Sequence, residues 1–308
     1  MTTSHELTLA GRGLSSLPRP LSEYSGYTAL DLDRNTLTSL PGEIGSLRQL
    51  TSLSLFHNQL TALPDSICEL TNLQTLNVSV NELDRLPDRM GDLQDLRMFD
   101  AGHNRISSLP ASMGQLKRLR FLYLSNNRLT IIPESFAELG SLVYLNITDN
   151  LLSAFPECIA GLIGLVELRL YNNSIAHLPA SVGSLLNLRE LHLMNNQLTS
   201  LPASLDALKK LRKVDLQDNQ LASLPDTVGA LVSLTELNLR NNALASLPES
   251  ISRLRRLRSL DLRANRLTSL PAGIASLKHL EKLDLRWNKI SPPRWLHQLE
   301  QRGCLVYM

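Results

Sequence analysis

The chain has 308 residues, of which 43% are apolar, so it can form a substantial core and is too apolar to be disordered. Aromatic residues make up only 4%, so this core must be aliphatic. Lysine and arginine (31) nearly balance aspartate and glutamate (29), and the net charge of +2 gives no reason to expect binding to nucleic acid or to a membrane surface.

Three cysteines, Cys68, Cys158 and Cys304, are odd in number and far apart, so they indicate neither a disulfide framework nor a CxxC metal pair. No run of 18 apolar residues is present, and the opening MTTSHELTLAGRG lacks the basic and apolar regions of a signal peptide. These features favour a cytoplasmic, reducing location. Secretion into a host cell stays open, because such export signals are weakly encoded.

Residues 1–27 contain an imperfect copy of a pattern that becomes regular further along the chain. Residues 7–18 (LTLAGRGLSSLP) keep the leucines and the proline, with Arg12 where later copies have asparagine. Tyr24 and Tyr27 stand where later copies have leucine. We therefore predict a degenerate capping turn over residues 1–27.

Residues 28–290 contain a unit of 23 residues that recurs twelve times. The unit is LxxLxLxxNxLxxLPxxIxxLxx, and its proline recurs from Pro18 to Pro271, always six residues after the asparagine position. Internal repeats of this length predict a solenoid, in which each unit buries its flanks against its neighbours. The asparagines are Asn35, Asn58, Asn81, Asn104, Asn127, Asn150, Asn173, Asn196, Asn219, Asn242, Asn265 and Asn288.

Each unit predicts a short strand followed by a turn and a helical segment. Leu53 and Leu55 alternate with polar residues, which is the period of a strand with one buried face. The following apolar residues, from Leu60 to Leu70, have turn and helical spacings. We expect the asparagine amide to bond open backbone groups of the turn, and the proline to fix the entry to the helical segment.

After Asn288 the pattern ends, and residues 291–308 predict a C-terminal cap. RWLHQLEQRG has the spacing of an amphipathic helix that Gly303 would stop. Val306 and Met308 fall where the next pair of strand leucines would stand, so CLVYM predicts a final edge strand. The whole chain, 1–308, is expected to be one domain.

The repeat is similar to the 23-residue LPxxIxxLxxLxxLxLxxNxL form of the leucine-rich repeat, from about Leu7 to Leu299. It most resembles the bacterial, plant intracellular Ras-group and Ras-signalling scaffold branches of that family. The resemblance implies an α/β repeat solenoid, a leucine-rich-repeat horseshoe with a parallel β-sheet on its concave face and short helical or 3-10 segments on its convex side. It also implies a role in docking signalling proteins such as GTPases, kinases and receptors.

Large side chains occupy strand positions that we expect to face outward on the concave face. In a chain with so few aromatic residues, their gathering there predicts a binding hot spot, although they could simply cover the sheet against solvent. The candidate partner-binding residues are Phe56, Phe121, Tyr123, Tyr144, Tyr171, His192 and Met194.

Arg240, Arg263 and Arg286 form a second candidate column, beside a column of acidic and amide side chains (Asp215, Asn238, Asp261 and Asp284). Such a column could bind an anion or an acidic partner. A ladder of mutually screened surface pairs is the favoured interpretation. The basic run from Arg253 to Arg258 is interpreted as a solvated surface.

We predict no catalytic, cofactor-binding or metal site, because HExxH, GxSxG and glycine-rich phosphate motifs are all missing from the sequence. The expected function is that of a monomeric, non-catalytic scaffold that binds another protein in signalling or host–pathogen interaction. One alternative is the substrate-recruiting part of an enzyme, such as a ubiquitin-ligase-type bacterial effector, although Cys158 lies inside a repeat. Another is a self-assembling structural protein that uses convex aliphatic residues (Ile163, Leu186 and Val232).

Overall fold

The computed structural model describes residues 5–308, so the first four residues of the predicted N-terminal cap lie outside the described part of the chain. Two compact units follow each other, the first ending at Leu151 and the second starting at Leu152. In both units, three-residue strands alternate along the chain with short 3-10 segments.

In the first unit the strands are β1 (Glu6–Thr8), β2 (Ala29–Asp31), β3 (Ser52–Ser54), β4 (Thr75–Asn77), β5 (Met98–Asp100), β6 (Phe121–Tyr123) and β7 (Tyr144–Asn146). Successive strands are parallel neighbours, and Leu53 pairs with Leu76, one repeat further on. The 3-10 segments span Leu21–Tyr24, Ile44–Ser46, Asp65–Glu69, Met90–Asp92, Ala111–Gln115 and Glu134–Glu138.

In the second unit the strands are β8 (Glu167–Arg169), β9 (Glu190–His192), β10 (Lys213–Asp215), β11 (Glu236–Asn238), β12 (Ser259–Asp261), β13 (Lys282–Asp284) and β14 (Leu305–Tyr307). They too are parallel neighbours in chain order. The 3-10 segments span Glu157–Gly161, Ala180–Ser184, Ala203–Ala207, Asp226–Ala230, Glu249–Arg253 and Ala272–Ser276, and one α-helix, α1, spans Leu296–Gln301.

The core of each turn consists of the repeated leucines. Leu53 of the strand, Leu55 just after it, Leu60 of the turn and Ile67 of the 3-10 segment are all fully buried. Phe99 takes an aliphatic position and is equally buried. Each side chain of this kind contributes about 1.5–3 kcal/mol when it leaves water. The predicted aliphatic core, and with it the predicted class of a parallel sheet backed by 3-10 segments, is confirmed.

The repeated asparagine joins neighbouring turns through its side-chain amide. Asn58 donates from Nδ2 to the carbonyl oxygens of Leu32 (3.0 Å) and Leu55 (3.1 Å). Its Oδ1 accepts from the backbone N–H of Leu37 at 3.1 Å. Asn265 repeats this arrangement in the second unit. The predicted structural role of the asparagines is confirmed.

In nine of the twelve turns the repeated proline directly precedes a 3-10 segment, as predicted, and after Pro18, Pro41 and Pro87 the segment starts three residues later. Pro64 has φ of −68° and its carbonyl oxygen accepts from the N–H of Ile67, which starts the segment's hydrogen bonding. A proline suits this place because its φ is fixed near this value and the first residues of a helical turn need no N–H partner.

The residue before each asparagine has a left-handed backbone, with φ between 50° and 62°. This feature was not predicted from the sequence, and it demands a conformation that only glycine, asparagine and aspartate adopt at little cost. Half of the positions hold other residue types, and Val80 is β-branched. The twelve residues are Arg34, His57, Val80, His103, Asn126, Asp149, Asn172, Asn195, Asp218, Asn241, Ala264 and Trp287.

The C-terminal residues form the predicted helix, stop and edge strand. Helix α1 is followed by Gly303 at φ +87°, and Val306 of β14 pairs with Leu283 of β13. Over residues 5–308, no helix is both long and apolar enough to cross a membrane.

Candidate functional site

Side chains that alternate with the buried strand leucines project from the open face of each sheet in three columns. The first column contains the residue that starts the strand, the second the residue that ends it, and the third the residue two further on. In the third turn these are Ser52, Ser54 and Phe56, all half-buried. Neighbours in one column are about 4.8 Å apart along the backbone.

The first unit has a contiguous aromatic patch, formed by Met98, Phe121, Tyr123 and Tyr144. Phe121 pairs in register with Met98 on one side and Tyr144 on the other. The rings of Tyr123 and Tyr144 are in contact, with centroids 4.9 Å apart and planes inclined at 38°. All four side chains are half-buried. Sequence analysis missed Met98, although it stands in the same column as Phe121.

Phe56 does not belong to the aromatic patch, so its predicted gathering with the other aromatic residues is wrong. Small residues, Ser79 and Gly102, follow it in the third column. Two strands, β4 and β5, therefore separate the turn of Phe56 from β6, where the aromatic residues of the patch begin. Phe56 instead contacts His57 edge-on, with ring centroids 5.8 Å apart.

In the second unit, Tyr171 and Met194 occupy the third column on adjacent turns and are half-buried. The N–H of Asn172 donates to the carbonyl oxygen of Met194 at 3.0 Å, which fixes these turns side by side. The prediction that His192 is exposed is wrong, because only 7% of it is accessible. Its Nε2 lies 3.2 Å from a carboxylate oxygen of Glu190 on the same strand.

His192 belongs to a polar network with Glu167, Arg169 and Glu190, which sequence analysis also missed. Ligand atoms of His192 and the two glutamates lie within 4.8 Å of one another, a spacing that could admit a metal ion. However, Nε of Arg169 lies 2.5 Å from a carboxylate oxygen of Glu167 and already neutralises it. The geometry is therefore that of an ion-pair network on the open face.

Two of the three arginines of the second candidate column form ion pairs with aspartates. Arg263 contacts Asp261 through Nε at 3.0 Å, and Arg286 contacts Asp284 through Nη2 at 2.7 Å. Nε of Arg263 also lies 3.4 Å from Asp284, so the pairs are linked into a ladder. Arg240 has Asn238 in the corresponding place.

Asp284 is fully buried, yet it is held in its charged form. Burial alone would raise the pKa of this carboxyl, but hydrogen bonds from Arg286 and the positive charge of Arg263 hold the pKa below its ordinary value. A guanidinium committed to such a pair is poorly placed to bind an external anion. This geometry favours the ladder interpretation.

Other acidic side chains of the second column accept hydrogen bonds from backbone N–H groups. Oδ1 of Asp100 accepts from the N–H of Gly102 at 2.9 Å, and Oδ1 of Asp215 accepts from that of Gln217 at 3.2 Å. Burial, more than any other factor, raises the pKa of both carboxyls above the ordinary value. Oδ1 of each aspartate is therefore occupied by the backbone just after its strand, and so it is not available to a ligand.

The three cysteines are buried and form no disulfide. Burial is the main factor that raises the pKa of Cys68 to about 11, and burial also raises the pKa of Cys304. Protonated, enclosed thiols are poor nucleophiles.

Two family descriptions match the sequence over most of its length. "Leucine-rich repeat region" matches residues 28–103 and 200–305, and "Leucine rich repeat" matches residues 102–152 and 163–221. No protein of curated function matches the sequence significantly.

Solved structures similar to this chain come from bacteria and plants. A leucine-rich repeat protein of Leptospira interrogans is 36% identical with a TM-score of 0.90, and the match covers 96% of this chain and 76% of that one. An internalin of Listeria monocytogenes, InlF, is 23% identical with a TM-score of 0.72, covering 93% and 88%; this likeness shows the fold alone.

A plant receptor is also similar. The Arabidopsis receptor kinase HAESA, solved with the peptide hormone IDA and the co-receptor SERK1, is 29% identical with a TM-score of 0.78. The match covers 93% of this chain but only 50% of the HAESA chain. This protein thus spans half the length of that receptor chain.

Proposed function

This chain belongs to the leucine-rich repeat family, and from that premise we propose that it is a non-catalytic scaffold that binds another protein on the open face of its sheet. The family commonly serves protein–protein interaction. The observation on which this proposal depends is the aromatic patch of the first unit, where Phe121, Tyr123 and Tyr144 are partly accessible on a rigid sheet.

The patch has the physical properties of a binding hot spot. Tyrosine and phenylalanine bring a large contact area at a small cost in side-chain entropy, and a tyrosine hydroxyl adds a polar contact. The ring contact between Tyr123 and Tyr144 and the lateral support from Met98 restrict the side chains before a partner arrives. Binding then loses little free energy to ordering them.

Tyr171 and Met194 of the second unit are proposed as a separate contact, to be tested independently. The HAESA structure, which holds a peptide hormone and a co-receptor, supports peptide and protein ligands for a related chain. We further propose a role in signalling or in contact between a bacterium and its host. The burial of all three thiols, which raises the pKa of Cys68 and of Cys304, supports a non-catalytic function.

The decisive experiment is affinity capture followed by binding measurements with the captured partner. Tyr123→Ala/Tyr144→Ala and, separately, Tyr171→Ala/Met194→Ala should weaken binding on the order of tenfold or more, with little change in melting temperature. The matched control is Ile163→Ser/Leu186→Ser, which removes two side chains that are 64% and 56% exposed and lie outside the strands. Binding that survives both open-face variants, or that only the control abolishes, would refute the proposal.

Light scattering on the purified chain tests the monomeric state. A single species at the mass of one chain, 34.3 kDa, is expected at micromolar concentration. Reversible growth to larger species would instead favour a self-assembling structural protein.

A further inference from the structure

Eight exposed basic side chains gather in the second unit on the side of the sheet where the strands begin. This basic flank consists of Arg189, Lys209, Lys210, Arg212, Arg255, Arg256, Arg258 and Lys278, all exposed. The backbone fixes their rows: the N–H of Arg212 donates to Arg189 O, that of Thr235 to Arg212 O, and that of Arg258 to Thr235 O, each at 2.8 Å. Three such steps place Arg189 and Arg258 roughly 14 Å apart.

In the first unit, basic residues at the repeat positions of Lys209 and Lys210 are neutralised by carboxylates. Arg48 pairs with Glu69, 21 residues later, at 3.3 Å, and Lys117 pairs with Glu138 in the same relation at 2.7 Å. Arg118 pairs with Asp95, which is 23 residues earlier. These three basic side chains therefore each have a carboxylate on a neighbouring turn.

In the second unit these carboxylates are replaced by neutral residues. The position 21 residues after Lys209 is Ala230, and Nζ of Lys209 reaches only its carbonyl oxygen, at 3.2 Å. The position 23 residues before Lys210 is Asn187, whose Oδ1 accepts from Nζ at 2.6 Å. Within residues 5–308, Arg258 is the one member of the basic flank that has an ion pair, a 3.5 Å contact with Glu281.

We propose that the basic flank binds an acidic segment of a partner protein. Uncompensated cations on several turns of the second unit create a local positive potential in a chain whose net charge is only +2, and such a potential attracts and orients an oppositely charged partner. Arg212, Arg256 and Arg258 line one open depression together with His279, so an extended segment can contact several guanidinium groups at once.

The same depression favours a peptide over a nucleic acid or a membrane. Glu236 lines it beside the arginines, and Glu281 ends the row of Arg258. A uniformly charged phosphate backbone or lipid surface would be repelled at these two carboxylates. An acidic peptide can place a neutral or basic residue there. The inference rests on the proposed function in one respect, that the ligand is a protein.

A labelled ten-residue peptide that alternates glutamate with serine is the probe, with binding to the full chain followed by fluorescence anisotropy. Binding should be measurable at about 50 mM salt and much weaker at about 300 mM, because the contacts are exposed charges. Arg212→Glu/Arg256→Glu should weaken it at least about tenfold. The matched control, Arg48→Glu/Arg118→Glu in the first unit, should change it less than about twofold. Should the reversal unfold the chain, Arg212→Gln/Arg256→Gln replaces it, with a loss of at least about threefold expected.

Three results would overturn the proposal: no saturable binding at low salt, an equal loss in the control variant, or tighter binding of duplex DNA or phosphatidylserine vesicles than of the peptide. Tyr123→Ala/Tyr144→Ala should leave the affinity for the peptide unchanged. The failure of the basic flank can therefore be distinguished from that of the aromatic patch.

Discussion

Replacing Asn127 by alanine would remove four hydrogen bonds from a side chain that is only 7% exposed. Nδ2 donates to the carbonyl oxygens of Ala101 at 3.0 Å and Leu124 at 3.1 Å, and Oδ1 accepts from the N–H of Ile106 at 3.0 Å. Nδ2 also lies 3.3 Å from the carbonyl oxygen of Ser125. In the alanine variant each of these carbonyl oxygens keeps another donor, Ala101 from Asn104, Leu124 from Asn150 and Ser125 from His103. The N–H of Ile106 loses the acceptor that the structure gives it.

The expected loss of stability is large. A buried backbone group without a partner, here the N–H of Ile106, costs about 1–3 kcal/mol, and each hydrogen bond lost at Ala101 and Leu124 about 0.5–1.5 kcal/mol, so the sum is about 2–6 kcal/mol. Net stabilities of folded proteins are on the order of 5–15 kcal/mol. Urea unfolding followed by circular dichroism should therefore show a much lower midpoint for Asn127→Ala.

The neighbouring residue supplies the control. Asn126 is exposed and has φ of 52°, which glycine accepts without strain, so Asn126→Gly should change stability by less than about 0.5 kcal/mol. If Asn127→Ala is no more destabilising than Asn126→Gly, the asparagine ladder does not hold the turns together.

Three further changes test other parts of the fold. Val80→Asn should raise stability by about 1 kcal/mol in thermal unfolding, because Val80 has φ of 56° and asparagine tolerates that conformation better; an unchanged midpoint would mean that the backbone there is not strained. Gly114→Ala should lower stability by about 1–3 kcal/mol, since the added Cβ would lie 2.3 Å from the carbonyl oxygen of Ser135, whereas Gly140→Ala, with nothing within 4 Å, should be nearly neutral. Asp100→Asn should raise the free energy of unfolding near pH 7. The folded-state pKa of Asp100 is raised by burial, so the stability that the protonated carboxyl gives below the unfolded pKa is lost as pH rises through the folded pKa, whereas asparagine stays neutral. Midpoints that do not converge for the two chains at low pH, where Asp100 is protonated, would contradict this reasoning.

The 23-residue period predicted most of the fold because each repeated residue has the same structural role in every turn. Leu53, Asn58 and Pro64 are respectively buried, bonded to neighbouring turns and placed before a 3-10 segment, as their chemistry requires. The left-handed residue before each asparagine was not predictable in the same way. Arg34, Val80 and other unsuited residues occupy it, so the backbone hydrogen bonds of the turn, not the residue type, impose the conformation.

The sequence predicted on which face of the sheet each candidate residue lies, but not how exposed it is. Alternation along the strand decides the face, whereas the exposure of a side chain depends on its neighbours in adjoining turns. Thus Phe56 is isolated by small neighbours, and His192 is enclosed beside Glu190. Met98 was not predicted, although Met194 was and residue 121 minus one repeat leads directly to Met98.

The two proposed surfaces differ in the step of binding that they would affect. Contacts in the aromatic patch form only after the partner has docked, so replacing Tyr123 and Tyr144 should mainly speed dissociation. The exposed cations of the basic flank act at a distance, so reversing Arg212 and Arg256 should mainly slow association, and only at low salt. With one partner in hand, surface plasmon resonance at two salt concentrations would separate these effects. A partner whose association is insensitive to salt and to Arg212→Glu/Arg256→Glu makes no use of the basic flank, even if the tyrosines are essential for holding it.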